Sequence, residues 1–159
     1  MKEVLFLCSA NYYRSRFAEH LFNDLARQAG LPWRAMSRGL LVGKWGDVGP
    51  VSSSAVEALE SLGIEIDRDQ RHPKPLSKSD LVSSSLVVAM KECEHRPLLS
   101  GQFPEWADLV EYWHIDDVDC AEPHEALPLL EGKVRDLAAR LAETVEITEG
   151  FVAAEPDFA

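Results

Sequence analysis

One short segment of the sequence combines a nucleophile with a cation at a fixed spacing. Cys8 is followed by Arg14 and Ser15, and the residues between them are Ser9, Ala10, Asn11, Tyr12 and Tyr13. The pKa of a thiol falls beside a cation or at a helix N-terminus, and the resulting thiolate is a strong nucleophile. The planar guanidinium of arginine can bind two oxygens of a phosphoryl group. These residue types therefore indicate covalent chemistry on a phosphate or on a similar anion.

The elements on either side of this segment decide whether it can bind an anion. Residues 4–7 form a continuous apolar run, which is typical of a strand buried on both faces of a parallel sheet. From Ser15 onward apolar residues recur at helical spacing, and Gly30 stands where such a helix would end. A loop between a strand and a helix can surround an anion with backbone N–H groups, and the helix N-terminus adds a partial positive charge. Cys8 is thereby predicted at the carboxyl edge of a sheet, where open parallel sheets bind their ligands.

The remainder of the chain alternates predicted strands with predicted helices. Strands are predicted over 33–36, 86–90 and 110–113, and helices over 52–62 and 125–145, with a glycine-rich loop over 39–50. This alternation predicts an α/β fold, a three-layer sandwich in which a four-stranded parallel sheet carries helices on both faces and a phosphate-binding loop after the first strand. No repeat or change of composition divides the chain, so we expect a single domain over residues 1–159, with a loose acidic tail over 146–159.

The bulk composition excludes several classes of partner. The formal net charge of −11 argues against a nucleic-acid backbone or an anionic membrane as the main partner, although it does not argue against a small anionic substrate. No apolar run approaches the ~20 residues of a membrane-spanning helix, and the N-terminal apolar stretch is too short for a signal peptide. We therefore expect a cytoplasmic protein that binds neither nucleic acid nor membranes. The sequence indicates no oligomeric state.

The cysteines are few and far apart. Cys8, Cys93 and Cys120 are an odd number at wide spacing, and no CxxC pair or cysteine–histidine pattern accompanies them. We therefore expect neither a disulfide framework nor a zinc site, and no metal or other cofactor. Cys93 and Cys120 are predicted to be ordinary buried small residues.

Several segments of the chain resemble one known family. The segment from Val4 to Glu19, VLFLCSANYYRSRFAE, resembles the opening of the low-molecular-weight protein-tyrosine-phosphatase family, which includes a branch of arsenate reductases on the same fold. Shorter similarities extend the resemblance over residues 3–145, at Ser37-Arg-Gly39, Leu62-Gly-Ile64, Lys74-Pro-Leu76 and Val87-Val-Ala-Met90. The resemblance implies a phosphomonoester hydrolase, most readily a protein-tyrosine phosphatase, that works through a phosphocysteine intermediate. The implied substrate is a phosphotyrosine protein or a small aryl phosphate.

The same resemblance implies a role for each residue of the motif. Cys8 would take the phosphoryl group, Arg14 would bind the substrate and the transition state, and Ser15 would activate the thiol. Asn11 would hold the loop in a strained shape by bonding Ser37, and asparagine tolerates left-handed backbone angles. The alternative for Asn11 and Ser37 is ordinary turn and strand-end chemistry.

Phosphoryl transfer to the thiol also requires a proton donor for the leaving oxygen. The family keeps an aspartate for this role in a loop after a tryptophan-containing strand, usually followed by proline. Here Trp113 precedes Asp116, Asp117 and Asp119, and alignment on the tryptophan favours Asp117, with Val118 in the proline position. Asp116 and Asp119 remain alternatives, and all three could instead be solvated loop carboxylates.

The resemblance also implies aromatic walls around the ring of the substrate. Trp45, in the glycine-rich loop, is near the position of one wall residue, although it could instead pack on the core. Where the family has tyrosines after the acid, this chain has only the imidazole of His124, and this departure weakens the expectation of a phosphotyrosine preference. Tyr12 and Tyr13 are expected at the rim of the loop, where they would shape the entrance. The predicted substrate-binding residues are Ser9, Ala10, Asn11, Tyr12, Tyr13 and Trp45.

Two other functions remain open. An arsenate reductase with an internal thiol relay needs two further cysteines, but Lys91 and Leu98 occupy the expected positions, so reduction would require an external thiol. A non-catalytic phosphate-binding module is the second alternative. The irregular acid loop favours that module, and the intact cysteine, arginine and serine of the motif oppose it.

Overall fold

The structure is a computed structural model that describes residues 1–67 and 70–154, with side chains of the last helix described as far as residue 144. The strands are β1 (Lys2–Cys8), β2 (Trp33–Gly39), β3 (Leu86–Ala89) and β4 (Glu111–Tyr112). The helices are α1 (Arg14–Ala29), α2 (Ser53–Ser61), α3 (Lys78–Ser83), α4 (Glu92–Gln102) and α5 (Pro123–Ala154), and a short 3₁₀ turn covers Pro104–Trp106. The predicted alternation of strands and helices is therefore present.

The strands form one parallel sheet in the order β2–β1–β3–β4. Cys8 at the end of β1 is level with Gly39 of β2, and Leu7 is level with Ala89 of β3. Residues 4–7 are completely buried, which explains their continuous apolar character because both faces of the sheet are covered. The predicted α/β fold with a parallel sheet between two helical layers is confirmed.

Alternate side chains of β1 enter two hydrophobic clusters on opposite faces of the sheet. On one face Phe6 packs with Phe22 of α1 and with Trp113, at ring-centroid distances of 6.1 and 5.8 Å, in a cluster that α2 and α5 complete. The cluster on the other face includes Leu5, Leu7, Leu81 of α3 and Leu99 of α4. Burying each side chain of this size contributes roughly 1.5–3 kcal/mol. The strand that carries Cys8 is therefore held firmly from both sides.

Two helix ends bear on the predictions from sequence. α1 is capped by Gly30, whose φ of 65° is left-handed and whose N–H bonds the carbonyls of Ala26 and Arg27. α5 continues to Ala154, past the helix end predicted at residue 145, and residues 155–159 lie outside the described residues. The loose tail over 146–159 stays a prediction. The acidic residues in this part of the helix are Glu146 and Glu149, and glutamate is a good helix former, so their charge does not end the helix. The extent of the single domain stays a prediction.

The cysteines are unpaired, and their burial differs from the prediction. Cys8 is buried, whereas Cys93 and Cys120 are exposed, so the prediction that these two are buried is wrong. Cys93 lies in the first turn of α4, whose buried positions are His95 and Leu99. Cys120 lies in a turn before α5. Both therefore fall on the solvent side of their elements, which residue type alone does not reveal.

Candidate active site

A tight loop joins β1 to α1 and brings the two ends of the motif together. Cys8 is the last residue of β1 and Arg14 is the first of α1. Asn11, between them, has a φ of 53° and is the only non-glycine residue with a positive φ in the part of the chain that the structure describes. Asparagine adopts this left-handed conformation more readily than most residues do. The sequence therefore supplies a suitable residue where the loop must reverse direction.

The side chain of Asn11 is completely buried and fixes the loop from below. Its Nδ2 donates to the Oγ atoms of Ser15 and Ser37, each at 2.9 Å. Its Oδ1 accepts from Nη1 of Arg71 and from the backbone N–H of Lys74, each at 3.0 Å. The two donors and two acceptor positions of the amide are thus all used. The contact with Ser37 expected from the sequence is among them.

Arg71 and Glu19 complete this support, and reasoning from the sequence missed both roles. Nη2 of Arg71 donates to the carbonyl of Ser37 at 3.0 Å and pairs with Glu19 at 3.2 Å. The hydroxyl of Ser37 also donates to Glu19. The neighbouring His72 is largely exposed and faces Asp47. A network that joins a helix, a strand end and a distant loop leaves no periodic signal in the sequence.

The sulfur of Cys8 faces the hydroxyl of Ser15. Their Sγ and Oγ atoms are 2.9 Å apart, and both residues are buried. Because Asn11 donates to the same Oγ, the hydroxyl hydrogen of Ser15 is free to point at the sulfur. A hydrogen bond of this kind stabilises a thiolate and helps the sulfur to act as a leaving group.

The guanidinium of Arg14 is 1% exposed and is surrounded by acceptors. Its Nη1 and Nη2 donate to the two carboxylate oxygens of Glu94 at 3.2 and 2.6 Å. Nη1 also donates to the carbonyl of Ile115 at 3.0 Å, and Nη2 lies 3.3 Å from Oδ2 of Asp117. Burial opposes the charge, but the hydrogen bond to Glu94 and the nearby charges of Cys8, Glu94 and Asp117 raise the pKa of Arg14 above its ordinary value.

The three candidate aspartates of the acid loop have different surroundings. Asp116 pairs with Nζ of Lys91 at 2.6 Å, and this hydrogen bond lowers the pKa of Asp116. Asp117 instead faces Arg14, and its Oδ1 accepts the N–H of Val118 at 2.8 Å. Asp119 lies on the same cavity wall as Asp117. Asp117 is therefore the carboxylate of the three that both contacts Arg14 and borders the space above Cys8.

An open cavity of about 290 Å³ lies above the sulfur. Its described walls are formed by Cys8, Ala10, Tyr12, Tyr13, Arg14, Trp45, Val48, Ser52, Asp117, Val118 and Asp119. Trp45 is 53% exposed and Val118 is 60% exposed, so apolar surface borders the entrance from two sides. If a phosphoryl group bound next to the sulfur, the organic group attached to it would contact this apolar rim.

The predicted substrate-binding residues divide into two groups. Ala10, Tyr12, Tyr13 and Trp45 line the cavity. The side chains of Ser9 and Asn11 do not contribute to its described walls, because buried polar neighbours engage them. The hydroxyl of Ser9 donates to Glu94 and lies 3.1 Å from Nε2 of His95. Ser9 and Asn11 can therefore face an anion only through their backbone N–H groups.

Tyr13 is buried rather than placed at the rim. It is 6% exposed, and its hydroxyl has no hydrogen-bond partner among the described protein groups. Burial and then the charge of Asp117 raise the pKa of Tyr13 to about 12. Its ring belongs to the larger hydrophobic cluster, which draws the side chain inward from the entrance where the sequence analysis placed it.

Two further features are absent from the described residues. Within residues 1–67 and 70–154, no group of three or more histidine, cysteine, aspartate or glutamate side chains is arranged to hold a metal ion. No helix in the described part of the chain combines the length and the apolar character needed to cross a membrane.

The fold and this site together define a cysteine-dependent phosphatase: a parallel α/β sheet, a thiol where the central strand meets a helix, and an arginine opposite a carboxylate. The family model "Low molecular weight phosphotyrosine protein phosphatase" matches residues 3–146, and the chain belongs to this family. The resemblance stated from the sequence is thereby confirmed. The prediction of a hydrolase of the phosphatase class is confirmed with it.

Several individual proteins are similar to this chain. A protein-arginine-phosphatase of Bacillus subtilis (strain 168) is 32% identical over 108 residues, which is 68% of this chain and 67% of that protein. The low molecular weight protein-tyrosine-phosphatase YfkJ of the same organism is 32% identical over 90 residues, 57% of this chain and 56% of that protein. A solved YwlE mutant from B. subtilis has a TM-score of 0.74 at 25% identity, covering 89% of this chain and 99% of that chain. The low molecular weight protein tyrosine phosphatase from T. tengcongensis has a TM-score of 0.68 at 30% identity, covering 92% and 99%.

Proposed function

We propose that this protein removes phosphoryl groups from tyrosine side chains of proteins through a phosphocysteine on Cys8. One observation carries the proposal: Cys8, with Ser15 at 2.9 Å, shares a cavity with Arg14 and Asp117, which lie 3.3 Å apart. A nucleophile, an anion-binding cation and a proton donor thus surround one space. The cytoplasmic location expected from the sequence stays a prediction.

The reaction has two steps. In the first, the Cys8 thiolate attacks phosphorus, the bond from phosphorus to the leaving oxygen breaks, and Asp117 gives its proton to that oxygen. In the second, Asp117 takes a proton from a water molecule that attacks phosphorus, and the thiolate leaves with the support of Ser15. Arg14 and the backbone N–H groups of the loop neutralise the charge on the phosphoryl oxygens during both steps.

The contact between Arg14 and Asp117 supports the assignment of the acid. In the free protein the Asp117 carboxylate lies beside the cation that a phosphoryl group would bind. A bound phosphoryl dianion would take over Arg14 and leave the Asp117 carboxyl group free to face the leaving oxygen. Asp116 lacks this coupling because it pairs with Lys91.

The cavity walls support an aromatic leaving group. Tyr12, Trp45, Val48 and Val118 give the space above the phosphate site apolar and aromatic sides. A flat ring can stack on such sides, which contributes to binding beyond simple burial. The substrate class of the relative YfkJ, a protein-tyrosine-phosphatase by name, agrees with this expectation.

A second candidate substrate is phosphoarginine in proteins. The relative that aligns over 108 residues is named a protein-arginine-phosphatase. Asp117 and Asp119 both border the cavity, and their carboxylates could bind a guanidinium leaving group. The same attack by Cys8 would then break a bond from phosphorus to nitrogen rather than to oxygen.

The direct test compares kcat/KM on a phosphotyrosine peptide and on a phosphoarginine peptide of the same sequence. The proposal expects the phosphotyrosine peptide to be the better substrate. A preference for phosphoarginine would select the second candidate. Arsenite formation from arsenate with an external thiol would favour a reductase, and phosphate binding without turnover would favour a non-catalytic module.

Variants at the two central residues test the mechanism. Cys8→Ser should abolish turnover of both peptides. Asp117→Asn should slow hydrolysis of the phosphotyrosine peptide by about 10²- to 10⁴-fold, the usual contribution of general acid–base catalysis. The loss on p-nitrophenyl phosphate should be smaller, because p-nitrophenolate leaves readily without a proton. Asp116→Asn is the matched variant, and a larger effect there than at Asp117 would reassign the acid.

A further inference from the structure

We infer that Glu94 is a positioning residue that fixes the guanidinium of Arg14 and the hydroxyl of Ser9 before substrate arrives, an inference that rests on the proposed function. Glu94 lies in the first turn of α4, far from the motif in sequence. Glu94 belongs neither to the Cys8–Ser15 motif nor to the acid loop, so neither segment predicts its role. Its role follows from the contacts that it makes behind the Cys8–Arg14 loop.

The donor groups of Arg14 are divided between two sides. One side of the guanidinium, formed by Nη1 and Nη2, is engaged by the two oxygens of Glu94, and Nη1 also bonds the carbonyl of Ile115. An arginine carries five N–H donors. The hydrogen on Nε and the second hydrogen on Nη2 therefore remain, and they form the adjacent edge of the same plane. This edge has the fork geometry that binds two phosphoryl oxygens, and its Nη2 lies 3.3 Å from Asp117.

His95 holds Glu94 in place from the other side. The backbone N–H of Lys91 donates to Nδ1 of His95 at 3.1 Å, so the ring hydrogen must be on Nε2 when the ring is neutral. Nε2 lies 2.9 Å from Oε2 of Glu94 and 3.1 Å from Oγ of Ser9. His95 is completely buried, and burial holds its pKa below the ordinary value. A neutral, oriented imidazole therefore fixes the carboxylate that in turn orients Arg14.

Glu94 acts from behind the phosphate site and does not compete for it. The described walls of the cavity include Arg14 and Asp117, and Glu94 is not among them. Burial alone would raise the pKa of Glu94, but hydrogen bonds from His95, Arg14 and Ser9 hold it far below its usual range. The residue is therefore ionised at neutral pH. It orients the arginine without occupying the space that the phosphoryl group requires.

The test compares Glu94→Gln with Glu92→Gln. Both substitutions remove one charge from the first turn of α4, but the Glu92 side chain is 56% exposed and pairs with Arg96 rather than with the site. Loss of a hydrogen-bonded charge at Glu94 should lower kcat/KM on the phosphotyrosine peptide by about 10- to 100-fold. The inhibition constant for inorganic phosphate should rise in parallel. Glu92→Gln should change both quantities less than about twofold.

A chemical readout separates orientation of Arg14 from a loss of overall structure. Iodoacetate is an anion that the free edge of Arg14 can bind near the thiol, whereas iodoacetamide is neutral and of similar size. The quantity measured is the rate of Cys8 alkylation by iodoacetate divided by the rate with iodoacetamide. Glu94→Gln should lower this ratio, and Glu92→Gln should leave it unchanged. If Glu94→Gln unfolds, Glu94→Asp replaces it, because the shorter side chain keeps the charge but draws the carboxylate away from Arg14 by the length of one methylene group.

The outcomes decide between this role and two others. Unchanged phosphate inhibition and an unchanged alkylation ratio in a folded Glu94 variant would overturn the inference and leave Glu94 a structural residue. Tighter phosphate binding in the variant would also overturn it, because Glu94 would then act as a competing anion. If the wild-type protein hydrolysed no phosphopeptide, the proposed function would fail, yet the alkylation ratio would still report whether Glu94 orients Arg14.

Discussion

At the scale of single residues, the hydroxyl of Tyr13 is a polar group that the proposed chemistry does not use. It is buried beside the cavity without a protein partner among the described residues, next to Asp117. A buried polar group without a partner destabilises the folded state by roughly 1–3 kcal/mol. The aromatic ring, by contrast, belongs to the larger hydrophobic cluster and stabilises it. The two halves of this side chain therefore have opposite effects on stability.

Tyr13→Phe should keep the ring and remove the unpartnered hydroxyl. We expect the free energy of unfolding to rise by about 1 kcal/mol, measured by urea denaturation. Tyr12→Phe, which alters a half-buried neighbour in the same loop, should change it by less than about 0.5 kcal/mol. A clear loss of stability in Tyr13→Phe would mean that the hydroxyl bonds an ordered water.

The residues that sequence could and could not predict differ in where their partners lie. Cys8, Arg14 and Ser15 are predictable because one strand–loop–helix segment brings them together, and that segment has a recognisable pattern. Arg71 and Glu94 were missed because each acts on the loop from a distant part of the chain. An isolated charged residue in a sequence is most often solvated, so neither gave a signal of its own.

At the scale of elements, the close approach of β2 to the loop depends on one glycine. Gly39 ends β2 level with Cys8, and a Cβ placed on it would lie 2.8 Å from the carbonyl oxygen of Ser9. That oxygen belongs to the backbone of the loop and cannot move without moving its neighbours. The loop between β1 and α1 can approach β2 this closely because Gly39 has no side chain.

Gly39→Ala should disturb both folding and activity. We expect a loss of about 1–3 kcal/mol in the free energy of unfolding, the usual range for overpacking, together with a fall in kcat. Gly101→Ala is the control, because a Cβ at this position in α4 meets nothing within 4 Å. Alanine there should instead stabilise the helix by about 0.5–1 kcal/mol. Wild-type activity in Gly39→Ala would show that the loop tolerates the shift.

The elements themselves follow from the sequence more directly than the contacts between them. The apolar run of β1 and the helical spacing in α1 are local patterns, and Gly30 marks the end of that helix. The sequence predicts the end of α5 at residue 145, whereas the helix continues to Ala154, because glutamate is compatible with a helix. Patterns of burial thus predict where elements lie, while charge predicts their ends poorly.

At the scale of the whole molecule, the buried His95 and the partly buried His20 connect stability to pH. Burial lowers the pKa of both His20 and His95 below the ordinary value of 6.5. Below about pH 6.5 the unfolded chain therefore binds protons at these positions that the folded protein does not. The free energy of unfolding must then fall as the pH falls, by up to about 1.4 kcal/mol per pH unit for each histidine.

This dependence can be measured by urea denaturation between pH 7 and pH 5. His20→Gln should reduce the slope, because it removes one of the two groups, and His124→Gln should leave the slope unchanged. His124 is the matched control, since its side chain is 77% exposed. An unchanged slope in His20→Gln would mean that His20 takes up its proton in the folded protein as readily as in the unfolded chain.

The site as a whole exists only in the folded domain. The motif comes from the start of the chain, Trp45 and Arg71 from later loops, Glu94 from α4, and Asp117 from the loop before α5. The parallel sheet brings these segments to one edge, because the carboxyl ends of its strands meet there. The proposed function therefore depends on a phosphoryl group reaching the sulfur at the centre of that edge.

The most direct test is a rapid acid quench of the protein during turnover of a phosphotyrosine peptide, followed by mass spectrometry of the fragment that contains Cys8. We expect this fragment to gain the mass of one phosphoryl group, and we expect no gain in Cys8→Ser. If the protein turns over the peptide while its Cys8 fragment never carries the group, or while another residue carries it, the proposed function is contradicted.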